Sequence, residues 1–293
     1  MTSLLDSPLR HIDVADARIA ARVGGEGPPL LLLHGHPQTH AMWHAVWPAL
    51  TRHHTCVAAD LRGYGESSKP AAAPDHAAHS KRTMAADMVQ LMAALGFARF
   101  DVLAHDRGAR VAHRLGLDHP ARVGRMMLLD IAPTLDMYEN TTRAFAQAYY
   151  HWFWLIQPAP LPETMIEHDP GFYVRAIMGG RPGGLAIFDP RALAEYERCA
   201  ALPGFATAVC EDYRASASID LAHDRADRLA GRRLQCPLQV YWGARGTVGR
   251  NFDVLALWRA VGTDVDGAGL DAAHYLAEEV PEEVATAALR FFS

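Results

Sequence analysis

The sequence lacks the features of a membrane or secreted protein. No apolar run comes near the roughly 20 residues that a membrane-spanning helix needs. The segment Met1 to Asp6 has no positively charged stretch followed by an apolar one, so we expect no secretory signal. These two absences predict a cytoplasmic protein that does not bind membranes.

Cysteine pairs and excess positive charge are also missing. The 4 cysteines are scattered without a Cys-x-x-Cys pair, which favours reduced thiols. Lys and Arg number 28 against 33 Asp and Glu, and the net charge of −5 gives no basic field for nucleic acid. His34 and His36 have a spacing seen in metal sites, but no cluster of Cys, His or Glu accompanies them. We therefore expect no nucleic-acid partner, no metal and no cofactor.

The chain does contain alternating apolar strands and amphipathic helices. Such alternation predicts an α/β fold, with a mostly parallel twisted sheet that helices cover on both faces. The strand-like runs are 30–33, 55–59, 100–104, 126–129 and 238–242, and the helix-like ones are about 40–50, 82–96, 107–118, 252–260 and 277–292.

A long segment between the strands that end at Leu129 and begin at Leu238 is rich in aromatics and proline. It has helical periodicity around 141–156, 163–178 and 190–200. Because so long a crossover exceeds one helix, it predicts an inserted helical cap. The expected division is a core of residues 1–133 and 225–293 and a cap of residues 134–224.

Residues 101–110 contain a candidate nucleophile. An apolar run leads into Ala104-His105-Asp106-Arg107-Gly108, with small residues two positions before and after Asp106. This pattern predicts a strand-to-helix elbow that presents Asp106. A carboxylate nucleophile suits displacement at a saturated carbon and forms an ester that water must cleave. By itself, the pattern fits a helix-capping aspartate equally well.

Three further sites follow predicted strands. Gly35 and His36 lie in a turn after the strand of leucines, where backbone N–H groups can contact a reacting oxygen. Asp130 ends another strand, and His274 lies in the loop before the final helix. Since ligands of open α/β sheets bind at the carboxyl ends of the strands, we expect these residues to meet Asp106.

This order of residues predicts a catalytic triad. Asp106 would be the nucleophile, His274 the base that activates water, and Asp130 the carboxylate that orients His274. Asp130 is the candidate because the loop after the next strand, 241–248, contains no carboxylate. The alternative for Asp130 is a turn former before Pro133.

Two arginines follow the nucleophile at helical spacing. Arg107 and Arg110 lie on one face of the first turn, where cations oppose the helix dipole. Two cations in this electrostatically unfavourable position, beside a candidate nucleophile, indicate a functional role. The planar guanidinium group of arginine binds carboxylates through two parallel hydrogen bonds. The sequence therefore predicts a substrate with an acid group; solvated arginines paired with nearby acids are the alternative.

Six motifs of the chain resemble a known family. Together they look like a haloacetate (fluoroacetate) dehalogenase of the α/β-hydrolase superfamily, and the similarity runs from about Ile19 to Phe292. The motifs that carry the resemblance are His34-Gly-x-Pro-Gln38, Asp60-Leu-Arg-Gly-Tyr-Gly65, His105-Asp-Arg-Gly-x-Arg110, Tyr150-His-Trp152, Gln157-Pro-x-Pro160 and Asp212-Tyr-Arg214.

The resemblance implies roles for residues that the patterns alone leave open. It implies that Arg107 and Arg110 hold the substrate carboxylate, and that His151, Trp152 and Tyr213 donate hydrogen bonds to the departing halide. It also implies a homodimer and a small halocarboxylate substrate. The expected reaction converts a short 2-haloacid, such as fluoroacetate or chloroacetate, to the 2-hydroxy acid through an aspartyl ester.

Two departures from the resemblance concern the pocket. His36 stands where relatives carry Phe, which predicts a more polar pocket mouth. No Trp stands near Gly180, which predicts more room for a substituent at the 2-position.

Three alternative functions remain. The first is a haloalkane dehalogenase, which commonly has Trp where this chain has Arg107; the arginine disfavours a neutral haloalkane as substrate. An epoxide hydrolase would use the same Asp, His and Asp with two cap tyrosines, for which Tyr149, Tyr150 and Tyr213 are available. A non-catalytic α/β-hydrolase-fold receptor is the third, and the complete triad argues against it.

Overall fold

A computed structural model describes residues 3–293 of the protein. Its strands form one sheet with the order β1-β2-β4-β3-β5-β6-β7-β8. The pairs β1–β2 and β2–β4 are antiparallel, and the remaining pairs are parallel. The strands are β1 (Leu9–Asp13), β2 (Arg18–Gly24), β3 (Pro29–Leu33), β4 (Thr55–Ala59), β5 (Phe100–His105), β6 (Val123–Leu129), β7 (Leu238–Gly243) and β8 (Val265–Leu270).

The predicted strand runs correspond to β3, β4, β5, β6 and β7. β3, β4 and β5 are almost entirely buried, as their continuous apolar sequences require. The strands β1, β2 and β8 were not predicted. Both β1 and β8 lie at an edge of the sheet, where one long side and much of a face meet solvent. Charged residues in β1 and glycines in β8 therefore hide the strand signal.

Helices cover the sheet and account for most of the remaining chain. They are α1 (Trp47–Leu50), α2 (Lys81–Ala94), α3 (Asp106–Asp118), α4 (Thr134–Glu139), α5 (Arg143–Ala148), α6 (Tyr150–Trp154), α7 (Leu161–His168), α8 (Pro170–Gly179), α9 (Pro190–Ala200), α10 (Phe205–Ser216), α11 (Ile219–Leu229), α12 (Thr247–Asn251), α13 (Val254–Val261), α14 (Leu276–Glu279) and α15 (Pro281–Phe292). Short 3₁₀ helices occupy Leu4–Asp6, His40–Trp43, Ala77–His79 and Gly184–Ile187. Of the helices in residues 3–293, none combines the length and apolar character needed to cross a membrane.

The predicted helix at 40–50 is wrong in detail. The chain forms a 3₁₀ helix at His40–Trp43 and only a short α1, because Pro48 lies at the start of α1 and interrupts a continuous helix. The predictions at 82–96 and 107–118 are confirmed by α2 and α3.

A helical insertion, which we define as residues 134–229, lies between β6 and β7. It comprises α4 to α11 and one 3₁₀ helix, and none of its described residues is in a strand. Three of its helices, α4, α10 and α11, lie outside the predicted periodic stretches. The insertion contacts the carboxyl ends of the strands, where Asp212 of α10 bonds to Arg107 and Tyr173 of α8 bonds to His36. The predicted domain boundaries stay a prediction.

Burial of His113 makes the stability of the fold depend on pH. It lies on α3 with 6% exposure, and its ring packs edge-on against Trp258, 5.1 Å between ring centres. Burial first, and then the charge of Arg114, lowers the pKa of His113 to about 3. The unfolded chain therefore takes up a proton near pH 6.5, whereas the folded protein does not.

We expect the free energy of unfolding to decrease as pH falls from 6.5 towards 3, by up to about 1.4 kcal/mol per pH unit from His113 alone. His113→Phe keeps a ring against Trp258 and should reduce this slope, as measured by urea unfolding at several pH values. The exposed His53 provides the control, since His53→Asn should leave the slope unchanged. Equal slopes in His113→Phe and the parent protein would contradict the prediction.

Candidate active site

Asp106 occupies the elbow that the sequence predicts. It begins α3 directly after β5 and adopts a positive φ of 45°, a conformation that non-glycine residues rarely accept. Gly108 permits the sharp turn, since a Cβ there would lie 2.5 Å from the carbonyl oxygens of Leu33 and His34. Its N–H instead donates to the carbonyl of His34 at 2.8 Å. A strained backbone conformation such as the positive φ of Asp106 is typical of functional sites.

Gly35 and His36 lie against Asp106, as predicted. A Cβ at Gly35 would come within 2.5 Å of the Cβ of Asp106, so only glycine fits beside it. The backbone N–H of His36 donates to Oδ1 of Asp106 at 2.9 Å. This N–H is therefore placed to stabilise negative charge on that oxygen.

The carboxyl group of Asp106 is buried but ionised. Its exposure is 4%, and burial alone would raise its pKa. Positive charge around it outweighs burial and holds the pKa below its usual range; His274 and His105 contribute when they are protonated, and Arg110 and Arg107 contribute at every pH. A buried carboxylate with few hydrogen bonds is a good nucleophile because little solvation must be lost before it attacks.

His274 and Asp130 form a buried pair. Nδ1 of His274 lies 2.5 Å from Oδ2 of Asp130, whose Oδ1 accepts from the N–H of Gly243 at 2.9 Å. Nε2 of His274 is buried without a hydrogen-bond partner. Burial first, and then the charge of Arg181, lowers the pKa of His274 to about 3, so its imidazole is neutral at physiological pH. A neutral imidazole oriented by a carboxylate is suited to act as a base.

Glu279 holds the loop that carries His274, and sequence reasoning missed it. Its carboxylate accepts from the backbone N–H groups of Ala273, His274 and Tyr275, at 2.7 to 2.8 Å. Three backbone bonds to one charged group position the loop firmly. The sequence signal was a carboxylate five residues after the candidate base, which is common in helix starts and therefore weak.

Arg107 is buried and paired with Asp212. Its Nε and Nη2 donate to the two carboxylate oxygens at 2.8 and 2.7 Å, and Nη2 also bonds to Ser216. The same carboxylate pairs with Lys81 and accepts from the hydroxyl of Tyr64. Asp212 therefore occupies the Nε and Nη2 side of the guanidinium, and Nη1 alone remains buried and unpartnered.

Arg110 has no acidic partner among the described residues. Its Nη1 donates to Thr134 at 2.9 Å, and its guanidinium carbon lies 4.6 Å from the ring centre of Trp152. Its Nε is buried and unpartnered. Arg107 and Arg110 therefore each leave one donor nitrogen without a partner, in the same first turn of α3 as Asp106, which fits one carboxylate held by two cations.

The three predicted halide-binding residues are all buried in the helical insertion. His151 and Tyr213 lie 5.9 Å apart between ring centres, and Nε1 of Trp152 has no hydrogen-bond partner. Burial lowers the pKa of His151 and raises that of Tyr213, so both are neutral and can donate hydrogen bonds. The guanidinium carbon of Arg107 lies 4.1 Å from the ring centre of Tyr213, so the predicted halide-binding residues are in direct contact with the arginines.

The comparisons with known proteins agree with this geometry. A family model described as the alpha/beta hydrolase fold matches residues 28–262. A fluoroacetate dehalogenase of Burkholderia sp. is 44% identical over 97% of this chain and 93% of that protein. The chain belongs to the haloacetate dehalogenase family of α/β-hydrolases.

Two further relatives set this member of the haloacetate dehalogenase family in context. A solved structure of an alpha/beta hydrolase from Nostoc sp. PCC 7120 has a TM-score of 0.95, with 51% identity over 98% of both chains. A soluble epoxide hydrolase of Corynebacterium sp. (strain C12) is 32% identical over 92% of this chain and 91% of that one.

Within this family member, the pocket differs from the sequence-based expectation at two positions. His36 is 2% exposed and bonds to the hydroxyl of Tyr173 at 2.8 Å, so it is an inner wall residue and not part of the mouth. Gly180 is exposed, and a Cβ there would meet only the carbonyl groups of its own helix. The expected space at Gly180 is therefore absent, because the next residue, Arg181, extends towards the site.

The pairing of Arg107 with Asp212 leads to a stability prediction. Asp212→Ala would leave Arg107 and Lys81 buried without their carboxylate. We expect the free energy of unfolding to fall by roughly 3–5 kcal/mol, as is usual when one member of a buried ion pair is removed. Urea unfolding measures this loss. The control is Asp13→Ala, which removes a solvent-exposed partner of Arg18 and should change little. Similar losses in both variants would contradict the prediction.

Proposed function

We propose that this protein hydrolyses the carbon–halogen bond of a short 2-haloacid, such as fluoroacetate or chloroacetate, and yields the 2-hydroxy acid. The observation that carries the proposal is the placement of two unpartnered arginine nitrogens in the same helical turn as the buried, ionised Asp106. The 44% identical fluoroacetate dehalogenase supports the same reaction.

In the first step, an oxygen of Asp106 attacks the carbon that bears the halogen. The carbon–halogen bond breaks and its electron pair leaves with the halide, so an ester joins Asp106 to the substrate. The N–H groups of Arg107 and Arg110 would hold the substrate carboxylate and align the carbon. His151, Trp152 and Tyr213 would donate to the halide as its charge grows.

In the second step, His274 takes a proton from water, and the resulting hydroxide attacks the ester carbonyl of Asp106. The N–H of His36 would stabilise the negative charge on the carbonyl oxygen. The bond between the carbonyl carbon and the substrate oxygen then breaks, and the leaving alkoxide takes the proton from His274. Asp106 is left as a carboxylic acid with one oxygen derived from water; it loses its proton to solvent, which regenerates the carboxylate, and the 2-hydroxy acid is released.

Epoxide hydrolysis is the second candidate function. The 32% identical soluble epoxide hydrolase supports it, and Tyr213 offers a buried phenol beside the nucleophile. Tyr150 is 52% exposed, so we do not consider it a candidate for activating an epoxide. A neutral epoxide would leave the unpartnered N–H groups of Arg107 and Arg110 without an acceptor, which favours an acidic substrate.

The first test uses halide release and the trapped ester. We expect the protein to release halide from fluoroacetate or chloroacetate. His274→Asn should form the ester but not hydrolyse it, because Asn cannot take a proton from water, so intact mass should rise by one carboxymethyl group on Asp106. Asp106→Asn is the matched control and should show no adduct. Diol formation from epoxides without halide release from any 2-haloacid would contradict the proposal.

The second test concerns the arginines. Arg110→Lys keeps the charge but loses the planar guanidinium, so kcat/KM for chloroacetate should fall about 10- to 100-fold, since a charged hydrogen bond contributes about 1.5–3 kcal/mol. Arg114→Lys, at a buried site of the same helix, is the control and should retain activity. Wild-type efficiency in Arg110→Lys would show that Arg110 does not bind the carboxylate.

The homodimer and the cytoplasmic location stay predictions.

A further inference from the structure

Arg181 lies beside the catalytic histidine and has no part in the reaction proposed above. It follows α8, and its guanidinium carbon lies 5.0 Å from the ring centre of Tyr149 and 5.6 Å from that of Tyr275. The Tyr275 ring is in turn 4.9 Å from that of His274. Arg181 is partly exposed, whereas these neighbours are buried, so it forms the boundary between the site and solvent.

The positive charge of Arg181 is not neutralised by a nearby acid. Among residues 3–293 it forms no ion pair, and its Nε is buried without a hydrogen-bond partner. Arg107 differs, because Asp212 satisfies its fork. The charge of Arg181 acts instead on Asp106 and His274. A partly buried cation held between two rings but lacking an anion is suited to bind one.

Two hydroxyl groups accompany Arg181. Those of Tyr149 and Tyr275 are buried, and neither makes a hydrogen bond of normal geometry. Burial raises the pKa of both, to about 12 for Tyr275, so both keep their protons and can donate. Arg181 lies against both hydroxyls, and the three side chains together form a group of donors without an acidic acceptor among the described residues.

This donor group is separate from the one that would hold the reacting acid. Arg107 and Arg110 lie on α3, next to Trp152 and Tyr213. Arg181 lies instead on the side of His274, among Tyr149 and Tyr275. A substrate with one carboxylate can fill only the first group, so the second is left without an anion to bind.

We propose that Arg181, with the hydroxyls of Tyr149 and Tyr275, forms a second anion site that selects 2-haloacids whose substituent carries its own carboxylate, such as a 2-halosuccinate. This inference rests on the proposed dehalogenation. The chemical steps are unchanged: Asp106 displaces the halide, water cleaves the ester, and the product is a 2-hydroxy dicarboxylic acid. Arg181 is a specificity-determining residue and takes no part in bond breaking.

The experiment compares substrates of similar length with and without the second charge. Halide release is measured for chloroacetate, for each enantiomer of 2-chlorosuccinate and for each enantiomer of 2-chlorobutanoate. We expect the wild type to favour one 2-chlorosuccinate over 2-chlorobutanoate. In Arg181→Gln, kcat/KM for that 2-chlorosuccinate should fall at least tenfold, mainly through KM, while 2-chlorobutanoate changes less than threefold. Arg181→Lys should recover part of the loss.

Arg175→Gln is the matched control, since it removes an exposed arginine from the neighbouring α8. It should leave all efficiencies unchanged. Equal loss on 2-chlorosuccinate and 2-chlorobutanoate in Arg181→Gln would overturn the second anion site. Release of halide from chloroacetate without any preference for 2-chlorosuccinate in the wild type would overturn it as well, and the proposed dehalogenation would stand.

A binding measurement keeps the two proposals distinguishable. Succinate and butyrate are titrated while tryptophan fluorescence is followed, which requires no turnover. Succinate should bind the wild type at least tenfold more tightly than Arg181→Gln, and butyrate should bind both equally. Such a result without halide release from any 2-haloacid would support the anion site and overturn the dehalogenation. Equal succinate affinity in the two proteins would overturn the anion site whatever the activity.

Discussion

The ion pair between Arg107 and Asp212 joins the two parts of the molecule on which the site depends. Arg107 follows the nucleophile on α3, and Asp212 lies on α10 in the helical insertion. Both side chains are fully buried, and a buried pair is stable only when each partner satisfies the other. The bond therefore fixes the insertion over the end of β5 and places Tyr213, the residue after Asp212, above the guanidinium.

Burial and uncompensated positive charge together determine the chemistry that the site can perform. Arg110 and Arg181 lack acidic partners among the described residues, and their charges reach Asp106. The carboxyl stays ionised although burial opposes it. The same surroundings keep His274 neutral, because both burial and Arg181 disfavour its protonated form. An ionised carboxylate and a neutral imidazole thus coexist in one buried site.

Much of the fold could be predicted from apolar runs and turn residues. β3, β4, β5 and β6 were found because strands buried on both faces must be apolar throughout. The elbow at Asp106 was found because close backbone approach demands small residues around it. Edge strands were missed because one side faces solvent, so their sequences need no continuous apolar run.

From the sequence alone, Asp106, Asp130 and His274 could be expected to meet at one edge of the sheet, with Arg107 and Arg110 in the helix that begins at Asp106. Which arginine nitrogens remain available could not be predicted, because Asp212 and Arg107 lie far apart in sequence and their pairing depends on how the insertion packs. The tertiary structure also decided that Arg181, not Gly180, borders the site. Side-chain direction at a helix end depends on the backbone of the following turn, which local sequence does not specify.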